Sequence, residues 1–245
     1  MQSHNLLNEE KSVQPSSQST FTIGRKVGIL LLLQLIAALT LPFILSKPIT
    51  FGSPAFLTAV TENSFQIRSA VLLSFVGSAL TVYLGITAFP VFRLYSKSAA
   101  LLFLVVCAVS CTLDLVQAGT MMSMLSISNE FVNSGTAKSE LYQVVGAAVA
   151  SARRSAHSTQ LLAIGAWMFV FYISMLRFKL IPRVLSVIGV LLQFIGVTLM
   201  MLLGYRLIGQ MAMPLLPIQI TVGVWLIIKG FNNSALKPAA VSDFR

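Results

Sequence analysis

Between Ala99 and Ser126 the chain carries a single charged side chain, Asp114. Apolar runs like this one divide the whole sequence, and several exceed the ~18 residues that mark a membrane span. No other feature constrains the fold as much. Hydrocarbon offers backbone groups no hydrogen-bond partner, so a spanning segment must satisfy them within itself, as a helix. Charged residues make up only 10% of the chain, against roughly a quarter in a soluble domain. The sequence therefore predicts an all-α, polytopic membrane protein.

Six spans are expected, at about Lys26–Leu45, Ser69–Leu94, Ala99–Ser126, Ser158–Leu176, Arg183–Tyr205 and Met211–Lys229. They form one transmembrane domain, residues 23–231, between a flexible polar tail (1–22) and a short C-terminal tail (232–245). The N-terminal tail, with QPSSQST at its centre, has the composition of a disordered segment. It lacks the pattern of a cleaved secretory signal.

Two connections on one side are long. Residues 46–68 contain Pro48, Gly52 and Pro54. Residues 127–157 end in SELYQVVGAAVASARRSAH. That stretch is rich in helix formers, and Ser139 with Glu140 suits a helix start. It is expected as a short surface helix or as an extension of the fourth span. On the other side the turns FRLYSKSAA and LRFKLIPR are tight and basic. Their likeness hints at a parallel repeat of the second-third and fourth-fifth spans, a device of transporters.

The net charge of +10 suits loops that meet anionic headgroups. Basic clusters interleaved with aromatics are missing, which argues against nucleic acid as a partner. Eleven of the seventeen Lys and Arg fall on the side of the tight turns. That bias places both termini in the cytoplasm. Cys107 and Cys111 share one helical face inside a span and read as packing residues, not as a disulfide or zinc framework.

On the third span Cys107, Ser110, Cys111, Asp114 and Gln117 recur every three or four residues and so share a face. An aspartate at the centre of a span costs ~2.5–3.5 kcal/mol to insert. It must face protein or water, and by default it marks a functional site. Arg153, Arg154 and His157 stand near the start of the fourth span, on the same side of the membrane as Asp114. Arg153 or Arg154 is the expected partner, holding the carboxylate ionised in a bidentate pair. Two readings stay open: an interhelical clamp, or a ligand or proton site.

Gln193 and Gln219 extend the candidate set on the fifth and sixth spans, Gln219 being, like Gln34 on the first, a lone amide expected to hydrogen-bond between helices. Ser74, Gly77, Ser78, Thr81 and Gly85 form a small-residue face on the second span, and Ser186, Gly189, Gln193 and Gly196 one on the fifth. Such faces let helices approach closely. Pro214 and Pro217 should bend the outer half of the sixth span. Lys229 reads as a snorkelling anchor.

Catalytic motifs are missing: the chain has no HExxH, GxSxG, phosphate loop or acid dyad. Neither a cofactor nor a metal is expected, and a membrane enzyme acting on lipid is disfavoured. The residues fit a protein that binds, senses or moves a small or lipid-like molecule through a polar site between its helices. The alternative is a non-catalytic scaffold or accessory subunit of a membrane complex. Partners would then be membrane lipids, such a ligand, or another protein or a second copy.

The last third carries the most specific motifs. These are Lys179–Arg183 (KLIPR), Leu185–Gly189 (LSVIG) and Trp225–Phe231 (WLIIKGF). With these motifs the chain resembles a bacterial family of six-span integral membrane proteins catalogued as domain of unknown function 4386, over roughly Lys26 to Asn233. The resemblance implies the fold and a place in a bacterial cytoplasmic membrane. It brings no activity.

Overall fold

The computed structural model describes residues 17–44, 56–134, 139–203 and 214–232. Lys47, Pro48, Gly52, Pro54, Lys138, Arg206 and most of both tails lie outside these residues. All regular structure within them is helical. The helices are α1 (Ser17–Ile44), α2 (Phe56–Glu62), α3 (Ser64–Tyr95), α4 (Lys97–Ser134), α5 (Ser139–Arg177), α6 (Arg183–Leu203) and α7 (Leu215–Lys229).

Four of them contain segments long and apolar enough to cross a membrane: Ser19–Thr40, Ser64–Tyr95, Lys97–Ser134 and Glu140–Arg177. The apolar stretches described in α6 and α7 are shorter, Arg183–Thr198 and Leu215–Lys229. Large apolar side chains cover the outside, among them Leu72, Ile86, Val105, Leu191 and Ile228. A soluble monomer does not expose contiguous apolar surface on this scale. Within the described residues the chain is an all-helical membrane protein.

Several boundaries differ from those the sequence predicts. Helix α1 takes in residues 17–22 of the expected tail. Most of residues 127–157 is not a connection. Helix α4 runs on to Ser134 and α5 begins at Ser139, so the extension alternative describes this segment and a separate surface helix does not. At ~1.5 Å per residue the 38 and 39 residues of α4 and α5 reach about 57 Å, well beyond ~30 Å of hydrocarbon. Their far halves pack with α2 around a second core of Phe56, Leu57, Val60, Ile67, Met121 and Leu125.

The described part of the sixth expected span, Leu215–Lys229, is helical. Leu215 opens α7 and Pro214 stands at its N-cap. Pro217 then occupies the first turn, where backbone N–H groups have no intrahelical partner to lose. A proline there removes no intrahelical hydrogen bond, and Met211–Met213, the rest of the expected outer half, lie outside the described residues.

The main core gathers Leu84, Phe92, Phe103, Trp167, Phe171 and Tyr172 with residues of α1 and α7. Aromatic contacts join the end of α3 to the start of α4 and the end of α5. Phe92 stands 5.2 Å from Phe103, and Tyr95 stacks 4.9 Å from Phe178. The Asn232 N–H donates to the Leu180 carbonyl (2.8 Å), tying the end of α7 to the α5–α6 turn. Arg25, Lys26, Arg93, Lys97, Arg177, Lys179, Arg183 and Lys229 therefore collect at one end of the bundle. None of the described acids, Glu62, Asp114, Glu130 and Glu140, lies there.

The tight turns at this end have identifiable chemistry. Ser96 is extended and caps α4, its Oγ accepting from the Ala99 N–H at 3.2 Å. After α5, the Leu180 N–H bonds to the Met175 carbonyl and the Lys179 N–H to the Leu176 carbonyl. This is the Schellman pattern, with Lys179 at the left-handed position usually held by glycine (φ 55°). A lysine there is strained by about 1 kcal/mol. Lys179→Gly is expected to stabilise the protein by at most about 0.5 kcal/mol after the entropy of the unfolded glycine is counted. Equilibrium denaturation in detergent checks this, and a loss of stability would mean that the lysine side chain itself holds the turn.

Candidate functional site

Helices α3, α4 and α5 meet at Asp114. Ser78, Asp114 and Gln160 each lie seventeen residues from the basic-end termini of their helices, Tyr95, Lys97 and Arg177. At ~1.5 Å per residue that is about 25 Å along each helix, so the three side chains stand at one level. Small residues bring the helices together. A Cβ on Gly85 of α3 would come within 3.3 Å of Cys107 on α4. Both cysteines are free thiols.

Asp114 is buried, with 8% of its surface exposed. Each carboxylate oxygen accepts one hydrogen bond. The Ser78 hydroxyl donates to Oδ2 at 2.8 Å and the Gln160 amide Nε2 to Oδ1 at 2.7 Å. Behind Gln160, its Oε1 stands 2.8 Å from His157 Nδ1. A carboxylate oxygen only accepts, so the amide presents N–H to it and carbonyl to the imidazole. His157 must then carry its hydrogen on Nδ1.

Ser78 has a second acceptor, the Ser74 carbonyl at 2.9 Å. One hydroxyl hydrogen thus has two places to go. With an ionised carboxylate, Ser78 donates to Asp114. If Oδ2 takes a proton, it can donate to Ser78 Oγ while Ser78 turns its hydrogen to Ser74. Both protonation states fit the same heavy-atom positions.

The cation expected beside Asp114 is not among its hydrogen-bond partners. The fourth expected span does supply a partner from its outer end, but that partner is an amide, Gln160. Arg153 and Arg154 lie seven and six residues before it on α5, about 10 Å farther from the basic end. Arg154 is exposed.

The remaining candidates fall in different places. Ser110 is buried one turn from Asp114 on the same face, and its Oγ has no hydrogen-bond partner. The same is true of Trp167 Nε1 on α5. Gln117 is buried and turns its amide to Met121 Sδ at 3.5 Å. Gln193 donates to Met168 Sδ at 3.1 Å, in the α5–α6 seam. Gln219 donates to Gln34 at 3.3 Å, between α1 and α7. The structure therefore joins Asp114 to His157 through Gln160, and leaves Gln193 and Gln219 in separate seams.

Ser78 and Gln160 are the site residues that charge complementarity overlooks. Ser78 stands out in the sequence only as one of several small residues. Gln160 does carry a signal, an amide three residues after His157 on the same helical face.

Residues 27–230 match the family described as a domain of unknown function, DUF4386. No curated protein and no solved structure matches the chain.

Proposed function

This chain belongs to the DUF4386 family, and we propose that it binds, senses or moves a small or lipid-like molecule bearing a cationic or proton-donating group, at Asp114. The observation that carries the reading is a carboxylate inside the bundle, held on both oxygens by neutral donors. Ser78 and Gln160 position it without neutralising it. Inside a bilayer such a group needs a proton or a cation to offset its charge. The buried, unpartnered Ser110 Oγ and Trp167 Nε1 lie toward the basic end from it and would meet polar atoms of the same ligand.

In this reading the protein has six spans in a bacterial cytoplasmic membrane. The basic end and both termini face the cytoplasm, in keeping with the bias of Lys and Arg. Asp114, about 25 Å from that end, then lies in the outer half of the hydrocarbon. A scaffold role has less support, because the small-residue faces of α3 and α6 are in part occupied within the chain, although Gly196 of α6 meets nothing within 4 Å. Gly85 meets Cys107, and Gly189 packs flat against the ring of Tyr172.

Asp114→Asn tests the site, since it keeps the shape and an acceptor for Gln160. Its folded yield and melting temperature should stay near those of the wild type. Amines and lipids that raise the wild-type melting temperature in detergent should no longer do so, and the carboxyl infrared band should vanish from pH-difference spectra. If the variant responds like the wild type, or does not fold, Asp114 is a structural clamp.

A further inference from the structure

A second place in the bundle has the chemistry of a binding site, at the opposite end from the outer loops. A cavity of about 400 Å³ opens between the start of α1, the α5–α6 turn and the end of α7. Its size falls within the ~300–1,000 Å³ of small-ligand pockets. Phe21, Trp225 and Phe231 supply aromatic walls, Pro182 closes one side, and Lys229 and Asn232 supply polar groups. The frame is firm, because α1 and α7 meet here backbone to backbone. Gly230, in the left-handed region at φ 65°, lies so close to Phe21 that a Cβ would stand 2.9 Å from its carbonyl oxygen.

Charge defines the occupant. Lys229 lines the cavity, and the Arg25 guanidinium sits 5.7 Å above the ring of Phe21, one of the walls. Arg183 follows Pro182 directly. These three cations belong to an end of the bundle that holds eight Lys and Arg and none of the described acids. On the flank of α7, Ile228, Val224 and Ile220 are exposed at four-residue intervals. They form an apolar stripe that leads from the cavity along the helix.

The geometry points to a site for an anionic phospholipid. Its phosphate sits in the cavity against Lys229, with Arg25 beside the Phe21 wall adding its charge, and its acyl chains lie along Ile228, Val224 and Ile220. A cation cluster alone would attract any phosphate. The adjoining apolar stripe is what selects a lipid, and a half-buried tryptophan at the same level suits the headgroup region.

The test uses the full-length protein in mild detergent, titrated with phosphatidylglycerol and followed by native mass spectrometry. Phosphatidylcholine and inorganic phosphate serve as comparisons. Phosphatidylglycerol should bind in preference to phosphatidylcholine, and millimolar phosphate should not displace it. Lys229→Gln and Arg25→Gln should each weaken binding about fivefold, and together about 25-fold. Lys97→Gln, at the same end but on the α3–α4 turn, should leave binding unchanged. Lipid-free melting temperatures verify that the variants are folded. Undiminished binding in the double variant would overturn the site. An equal loss in Lys97→Gln would reduce it to diffuse surface charge, and displacement by inorganic phosphate would make it a soluble-anion site.

Discussion

Replacing Gly24 with valine is expected to cost about 3 kcal/mol or more. Helices α1 and α7 are held together by glycines that remove side chains from the contact. A Cβ on Gly24 would come within 2.8 Å of the Gly230 carbonyl carbon, and one on Gly28 within 2.7 Å of the Gly223 carbonyl oxygen. The obstructing atoms are backbone, so no rotamer change can clear them. The helices would have to move apart by the breadth of a side chain, which places the substitution at or above the upper end of ordinary overpacking costs. In hydrocarbon this close approach is itself the attraction, since lipid solvates apolar surface as well as protein does. Separation would also loosen the buried Gln219–Gln34 hydrogen bond farther along the seam. Gly196 and Gly119 are the controls, because a Cβ on either meets nothing within 4 Å. Alanine at those positions should be neutral or stabilise by up to about 1 kcal/mol through helix propensity. Denaturation in mixed detergent micelles compares the three variants. A Gly24→Val protein within about 1 kcal/mol of the wild type would mean that the seam is wider than described.

The third expected span was legible in the sequence because its physics is local. A polar stripe at helical spacing cannot face lipid, and Cys107, Ser110, Asp114 and Gln117 are buried, while Cys111 at the edge of the stripe is half-buried. The partner of Asp114 was harder to read, because partnership depends on the register between α4 and α5. Their connection, residues 135–138, is outside the described residues, and the two helices it joins are each longer than a bilayer is thick. Register has to be counted from the opposite, basic end, where Lys97 and Arg177 set the level of Asp114 with Gln160. Arguing from charge instead selects Arg153 and Arg154, which lie too far along the helix. The projecting part of the α4–α5 hairpin escapes a hydropathy reading for a related reason. Helix formers and the Ser139–Glu140 start mark its second half as helical, but only the packing of both halves with α2 shows that they continue the spans.

Gln160→Leu should be the most damaging single change in the polar site, at about 3 kcal/mol. It removes the donor to Asp114 Oδ1 and the acceptor 2.8 Å from His157 Nδ1. A hydrogen bond to a charged group contributes about 1.5–3 kcal/mol, and a buried group left unsatisfied costs about 1–3 kcal/mol. Ser78→Ala should cost less, because Ser78 is small and the Gln160 bond survives. The informative measurement is the cycle with Asp114→Leu. That variant strands the Gln160 amide, whereas Ser78 retains the Ser74 carbonyl as an acceptor. Removing Asp114 and Gln160 together takes away a donor and its acceptor at once and fills the space with apolar atoms. Such paired replacements are often close to neutral. The double variant should therefore be more stable than the sum of the two single losses implies, by about 1–3 kcal/mol. Additive losses would show that Asp114 and Gln160 do not depend on each other. The carboxylate would then have its principal partner elsewhere, and the level shared by Ser78, Asp114 and Gln160 would have no functional meaning.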